Sequence, residues 1–172
     1  MGKLYLLRHE QRGDDISFES RLTLNGLKNS KNIVCPALEN LSIDIIYCSP
    51  FIRTLQTIQP FCYKTGKKIN IEWSIVESFP HNPIISKEFT NIINHEYKSH
   101  IPYTHTTDQE IIYFEHLRQQ VKRFILSLDH SKNILIVTHM PVINAILSSI
   151  GINHIDMYTY HKPGSIISVN SM

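Results

Sequence analysis

Five short, largely apolar runs recur along the chain: KLYLLR (residues 3–8), IDIIYCS (43–49), KINIEW (68–73), NILIVT (133–138) and SIISVN (165–170). Strands with water on one face alternate apolar and polar residues, so runs like these mark strands buried on both faces. Segments of helical character separate them. Together they predict an α/β fold in three layers, α/β/α, around a mostly parallel central sheet. In such sheets, ligands bind beyond the carboxyl ends of the strands. The 172 residues suit one domain, residues 1–172, with a single sizeable core.

The intervening segments carry helix signals. Thr23 is a plausible N-cap, followed by a stripe of Leu27, Ile33, Val34 and Leu38 that Pro36 interrupts, which predicts a kink or an early end. Ser49-Pro50 reads as a cap and first-turn proline opening a helix that Gly66 closes. From Thr107 a long helix is predicted, with Ile111, Phe114, Leu117, Val121, Phe124, Ile125 and Leu128 at helical spacing, and MPVINAILSSIG predicts a short one closed by Gly151. Residues 79–107 lack this patterning and read as an irregular excursion over the site, with one short helix in SKEFTNIINHEY. Lys98, Tyr103 and His105 could line a substrate mouth there.

Several function classes are disfavoured. A net charge of +2 from 17 basic and 15 acidic residues is too balanced to point to nucleic acid or an anionic membrane. No apolar stretch nears the ~20 residues of a membrane span. The three cysteines, Cys35, Cys48 and Cys62, form no CxxC and no metal ladder. With no signal-peptide pattern, they read as reduced structural thiols of a cytoplasmic protein. The histidines have no tight ligand spacing such as HExxH, so no metal site is expected.

Polar clusters stand where the strands end: Arg8-His9 after the first, Arg53 in the first turn of the helix after the second, Glu77 beyond the third, and His139 after the 133–138 run. A parallel sheet would gather two arginines and two histidines in one small volume. Guanidinium forks suit phosphate oxygens, so the natural occupant is a multiply charged anion.

The motifs LYLLRHEQR, RLTLNGLKNS, SPFIRTLQT, WSIVESF and ILIVTHMPVI resemble, in order, those of the histidine phosphatase superfamily, with its phosphoglycerate mutase-like fold. The resemblance implies that His9 is the nucleophile, that Arg8, Arg53 and His139 clamp the phosphate, and that Glu77 is the acid/base carboxylate, with Glu10 its rival. Arg12 falls where one phosphatase branch carries an arginine, and with Gln11 and Glu10 it is a possible substrate-binding residue. Thr23 and Gly26 match a structural helix start.

The implied activity is metal-independent hydrolysis, without a cofactor, of a small phosphomonoester or a phosphorylated protein side chain, through a phosphohistidine on His9. In that scheme His139 would serve best as a cation. The alternatives are a weak or inactive member that binds phosphorylated ligands, and a phosphoglycerate mutase. The short 79–107 segment favours phosphatase over mutase. The chain departs from the family at Glu10, where glycine is usual, and at Met140 and Pro141, where small residues are usual. A carboxylate aimed into the pocket would repel phosphate.

Overall fold

The structure is a computed structural model that describes residues 2–15, 17–78, 84–97, 110–152 and 155–170. Lys98, Tyr103 and His105 lie outside the described residues. Strands β1 (Lys3–Arg8), β2 (Ile45–Cys48), β3 (Ile69–Glu72), β4 (Ile93–Tyr97), β5 (Ile134–Thr138) and β6 (Ile166–Asn170) form one sheet in the order β4-β3-β2-β5-β1-β6. All neighbours pair in parallel except β1 with β6, which run antiparallel. β5 near the centre and β1 beside it are the most apolar, as burial on both faces requires.

Side chains alternate between two cores. Tyr5, Leu7, Leu135 and Val137 face one cluster, shared with helices α2 (Cys35–Glu39) and α3 (Ile52–Thr65); a further short helix, α1 (Leu24–Asn29), precedes α2. Leu4, Leu6, Ile134 and Ile136 face the other, shared with α4 (Glu110–Leu126) and α5 (Met140–Ser149). The three layers expected from the sequence are therefore present.

Three local expectations need correction. SKEFTNIINHEY is a 3-10 turn (Lys87–Ile92) running into β4, so its second half is an edge strand rather than a helix. Pro36 neither kinks nor ends its helix. A π-helical turn, Ser30–Val34, links α1 to α2, and Cys35 N–H donates to Ser30 O five residues back. Pro36 then falls in the first turn of α2, where its missing N–H costs little. Third, Ser49 does not cap α3. The N-cap is Phe51, with extended backbone and no side-chain cap bond.

Thr23 does cap α1, accepting from Gly26 N at 3.0 Å, and Thr23 N donates to Gln11 O at 2.9 Å. The same carbonyl sits against Gly26, where a Cβ would come within 2.3 Å of it. Gly26 thus lets α1 dock on the chain just after β1. Gly26→Ala is expected to destabilise the fold by about 1–3 kcal/mol in urea unfolding, despite the better helix propensity of alanine, because a backbone carbonyl cannot step aside.

Candidate active site

The register of the sheet builds the site. Arg8 lies opposite Thr138, and Cys48 opposite Val137, so β2, β5 and β1 end side by side. The residues that follow, Ser49, His139 and His9, emerge together. Two backbone bonds hold the alignment: His9 N to Thr138 O (3.0 Å) and Ser49 N to Val137 O (3.0 Å). The rings of His9 and His139 meet edge to face, with centroids 5.3 Å apart. Arg53 reaches the same volume from the first turn of α3, and Glu77 from beyond β3, where they form an ion pair.

His9 is almost wholly buried, and its Nδ1 lies 2.7 Å from the carbonyl oxygen of Glu10. A carbonyl only accepts, so Nδ1 carries the proton and Nε2 keeps the lone pair. Burial, with His139 adding to it, pushes the ring's pKa down to about 3. The ring is therefore neutral at ordinary pH, as a nucleophile must be.

Arg53 is fully buried beneath Phe51, whose ring centroid is 4.3 Å from Cζ, and it donates to Ser17 O (2.8 Å) and to Glu77. Arg8 donates to His161 O and lies 5.6 Å from the ring of Tyr160. Burial lowers the basicity of both guanidinium groups from a high starting value. His139 is fully buried, with Nε2 2.9 Å from Ser49 Oγ and Nδ1 3.5 Å from Glu77 Oε1. Arg8 Nε, Arg53 Nε and His139 Nδ1 are all buried without a hydrogen-bond acceptor among the described residues. Buried polar atoms rarely lack partners, and three such nitrogens at one strand edge are suited to an anion.

The sequence profile of the histidine phosphatase superfamily (branch 1) matches residues 4–170. The chain belongs to the histidine phosphatase superfamily. Among solved structures it is similar to phosphoserine phosphatase from Entamoeba histolytica, with a TM-score of 0.64, 19% identity, and coverage of 98% of this chain and 90% of that one. It is also similar to mycobacterial glucosyl-3-phosphoglycerate phosphatase (0.60, 12%, 97% and 89%). A third is a protein assigned as the phosphohistidine phosphatase SixA from Agrobacterium tumefaciens (0.61, 15%, 98% and 91%). At these identities the likeness shows the fold. No curated protein sequence matched the chain significantly.

For a member of the histidine phosphatase superfamily, Glu10 is the unusual residue, and it does not face the pocket. Its carboxylate is buried, accepting from Gln11 N (3.0 Å) and Asn29 Nδ2 (3.5 Å). Gly164, at φ +71, leaves room for it: a Cβ there would lie 2.0 Å from Glu10 Oε1. The side chain thus fills a space between the β1 turn, α1 and the loop before β6. The carboxylate that acts on Arg8, His9 and Arg53 is Glu77.

Gln11 also faces α1, accepting from Asn25 Nδ2 at 3.2 Å. Arg12 is held by Gly13 O (2.7 Å) and Asp15 O (3.0 Å), and its charge acts on Arg8, Arg53 and His139. Of the three possible substrate-binding residues, Arg12 is the one whose charge reaches the pocket.

Two residues beside this site carry no sequence signal for the role they take here. Asn144 of α5 is fully buried and donates to Met157 O and Thr159 O (3.1 and 2.9 Å). Its Oδ1 accepts from His161 Nε2 at 2.7 Å, so it ties down the loop whose carbonyl holds Arg8. Ser49, read from sequence as a cap, instead meets His139.

The cation expected at His139 is disfavoured by the fold itself. Burial, then the charges of Arg53, Arg8 and Arg12, push its pKa well down. Two buried neutral histidines make the protein acid-labile. In the unfolded chain both titrate near ~6.5, so below that pH the unfolded state binds more protons and stability falls as pH drops toward about 3. His9 is expected to remove about 1.4 kcal/mol per pH unit in that window, and His139 to add a loss of the same sign. Urea midpoints at pH 7 and pH 5 should show it, with a smaller loss for His139→Gln.

Proposed function

We propose that the chain is a metal-independent phosphatase that hydrolyses a phosphomonoester, or a phosphorylated protein side chain, through a phosphohistidine on His9. The observation that carries this reading is the set of three buried nitrogens without hydrogen-bond partners among the described residues, on Arg8, Arg53 and His139, beside a neutral His9. In the first step His9 Nε2 attacks phosphorus, the N–P bond forms, and the bond to the leaving oxygen breaks as that oxygen takes a proton. In the second, water attacks phosphorus, the N–P bond breaks, and the water's proton passes to the acid/base group. Glu77 fits that role, being on the pocket side and partly exposed. The clamp residues stabilise charge on the equatorial oxygens. The expected ligand is a phosphorylated small molecule or protein rather than nucleic acid or membrane. No described helix is long and apolar enough to cross a membrane.

Phosphatase relatives of this fold support hydrolysis. The inward burial of Glu10, away from the pocket, removes the repulsion that motivated a non-hydrolysing member. The test is turnover of p-nitrophenyl phosphate in excess chelator, with trapping of an acid-labile phosphoenzyme. Turnover with trapped phosphohistidine is expected; no turnover of any phosphomonoester offered would overturn the reading.

A further inference from the structure

The two histidines of the pocket are held by different kinds of partner, and the difference decides what each presents. His9 Nδ1 faces the backbone carbonyl of Glu10, which leaves the lone pair on Nε2. His139 has its Nε2 2.9 Å from the hydroxyl oxygen of Ser49. A hydroxyl can donate or accept, so the other surroundings decide. His139 Nδ1 lies 3.5 Å from Glu77 Oε1 and reaches no hydrogen-bond acceptor among the described residues. A lone pair on Nδ1 would face that carboxylate, acceptor against acceptor, whereas an N–H there faces it favourably. If Nδ1 carries the proton, Nε2 is the acceptor and Ser49 must donate.

Ser49 is built to do so. It is fully buried, its N–H is bound to Val137 O, and its carbonyl accepts from Thr54 Oγ1 at 2.6 Å and Cys48 Sγ at 3.2 Å. The residue is fixed on both sides, and its one rotatable group is aimed at His139. Phe51 packs edge to face on the same imidazole, with centroids 4.8 Å apart.

We propose that Ser49 is a positioning residue: its hydroxyl donates to His139 Nε2 and fixes a neutral ring whose Nδ1–H points at the transferring phosphoryl group. This rests on the phosphatase reading. His9 then offers a lone pair to phosphorus while His139 offers a proton to a phosphoryl oxygen, so two chemically identical side chains take opposite roles. The arrangement supplies a donor without a second buried cation beside the arginines.

The experiment is nitrogen-15 NMR of histidine-labelled protein at pH 7, with and without inorganic phosphate, the His139 signals being assigned by their loss in His139→Gln. The ring nitrogens report tautomer and charge directly. The wild type is expected to show His139 protonated at Nδ1 alone. Ser49→Ala should shift it toward a mixture and lower kcat/KM for p-nitrophenyl phosphate about tenfold, the scale of one lost hydrogen bond. Ser49→Thr, which keeps the hydroxyl, should restore both.

Protonation at Nε2 alone, or an imidazolium, in the phosphate-bound wild type would overturn the proposal. So would a Ser49→Ala variant with unchanged tautomer and rate. The wild-type spectrum decides even if a variant fails to fold. If His139 is fixed at Nδ1–H by Ser49 while no phosphomonoester is turned over, the phosphatase reading fails and the tautomer assignment stands.

Discussion

His9→Ala is expected to lower kcat for p-nitrophenyl phosphate by about 10⁴-fold or more and to leave no trappable phosphoenzyme. The size follows from what is removed. The ring supplies the bond-forming nitrogen, already neutral because burial holds its pKa at about 3, and already oriented by the carbonyl of Glu10. Among the described residues, the other ring of the pocket, His139, would present Nδ1 as a donor rather than as a comparable lone pair. The clamp remains, so affinity for inorganic phosphate should change far less than the rate. That split between rate and affinity separates a lost nucleophile from a collapsed pocket. A variant that kept activity within tenfold of the wild type would remove His9 from the reaction.

Arg53→Ala is expected to cost about 10²–10³-fold in kcat/KM, the usual scale for one donor to a developing charge, and to weaken phosphate binding as well. The guanidinium is fully buried, joins Ser17 O to Glu77 and packs under Phe51, so stability should fall too. Breaking a fully buried ion pair costs about 3–5 kcal/mol, and the partial exposure of Glu77 places this one below that range. Arg53→Lys keeps the charge and loses the planar fork. It is expected to recover stability more than activity, because a point charge cannot reach Ser17, Glu77 and an anion at once. Steady-state kinetics with phosphate inhibition constants, beside urea unfolding, check both variants. Activity within threefold of the wild type for Arg53→Lys would show that only charge is needed.

Much of this was legible in the amino-acid sequence. Apolar runs located five of the strands to within about two residues, and the sheet's parallel order put Arg8, His9, Arg53, Glu77 and His139 at one edge. Except at Pro36, where a local π-helical turn decides, the departures share a cause: each depends on contacts between residues distant in the chain. β4 reads INHEY, a polar segment with no strand pattern, and it forms because β3 offers an edge to pair with. Ser49-Pro50 matches a helix-cap signal, yet the hydroxyl is drawn to His139, which follows the neighbouring strand β5. Glu10 looks like a charge set against phosphate until Gly164, far along the chain, provides space for it. Local pattern reports what a residue can do; the register of β1 against β5 and β6 selects which option is used.

That register also bears on how the protein comes into being. β1 pairs with β5 and β6, which lie far further along the chain: Leu4 stands opposite Ile134 and Val169. Contacts so distant in sequence form slowly, because much chain must be ordered before they do. While a ribosome is still building the molecule, the strand that carries His9 is an apolar ribbon with both edges open, able to pair with whatever is near. The pocket cannot form as described before residues 161–165 are made, since His161 O holds Arg8 and Gly164 N donates to the turn at His9. Until β5 and β6 have been made, β1 lacks the neighbours it pairs with in the sheet, and an apolar strand with open edges is prone to pair with other chains.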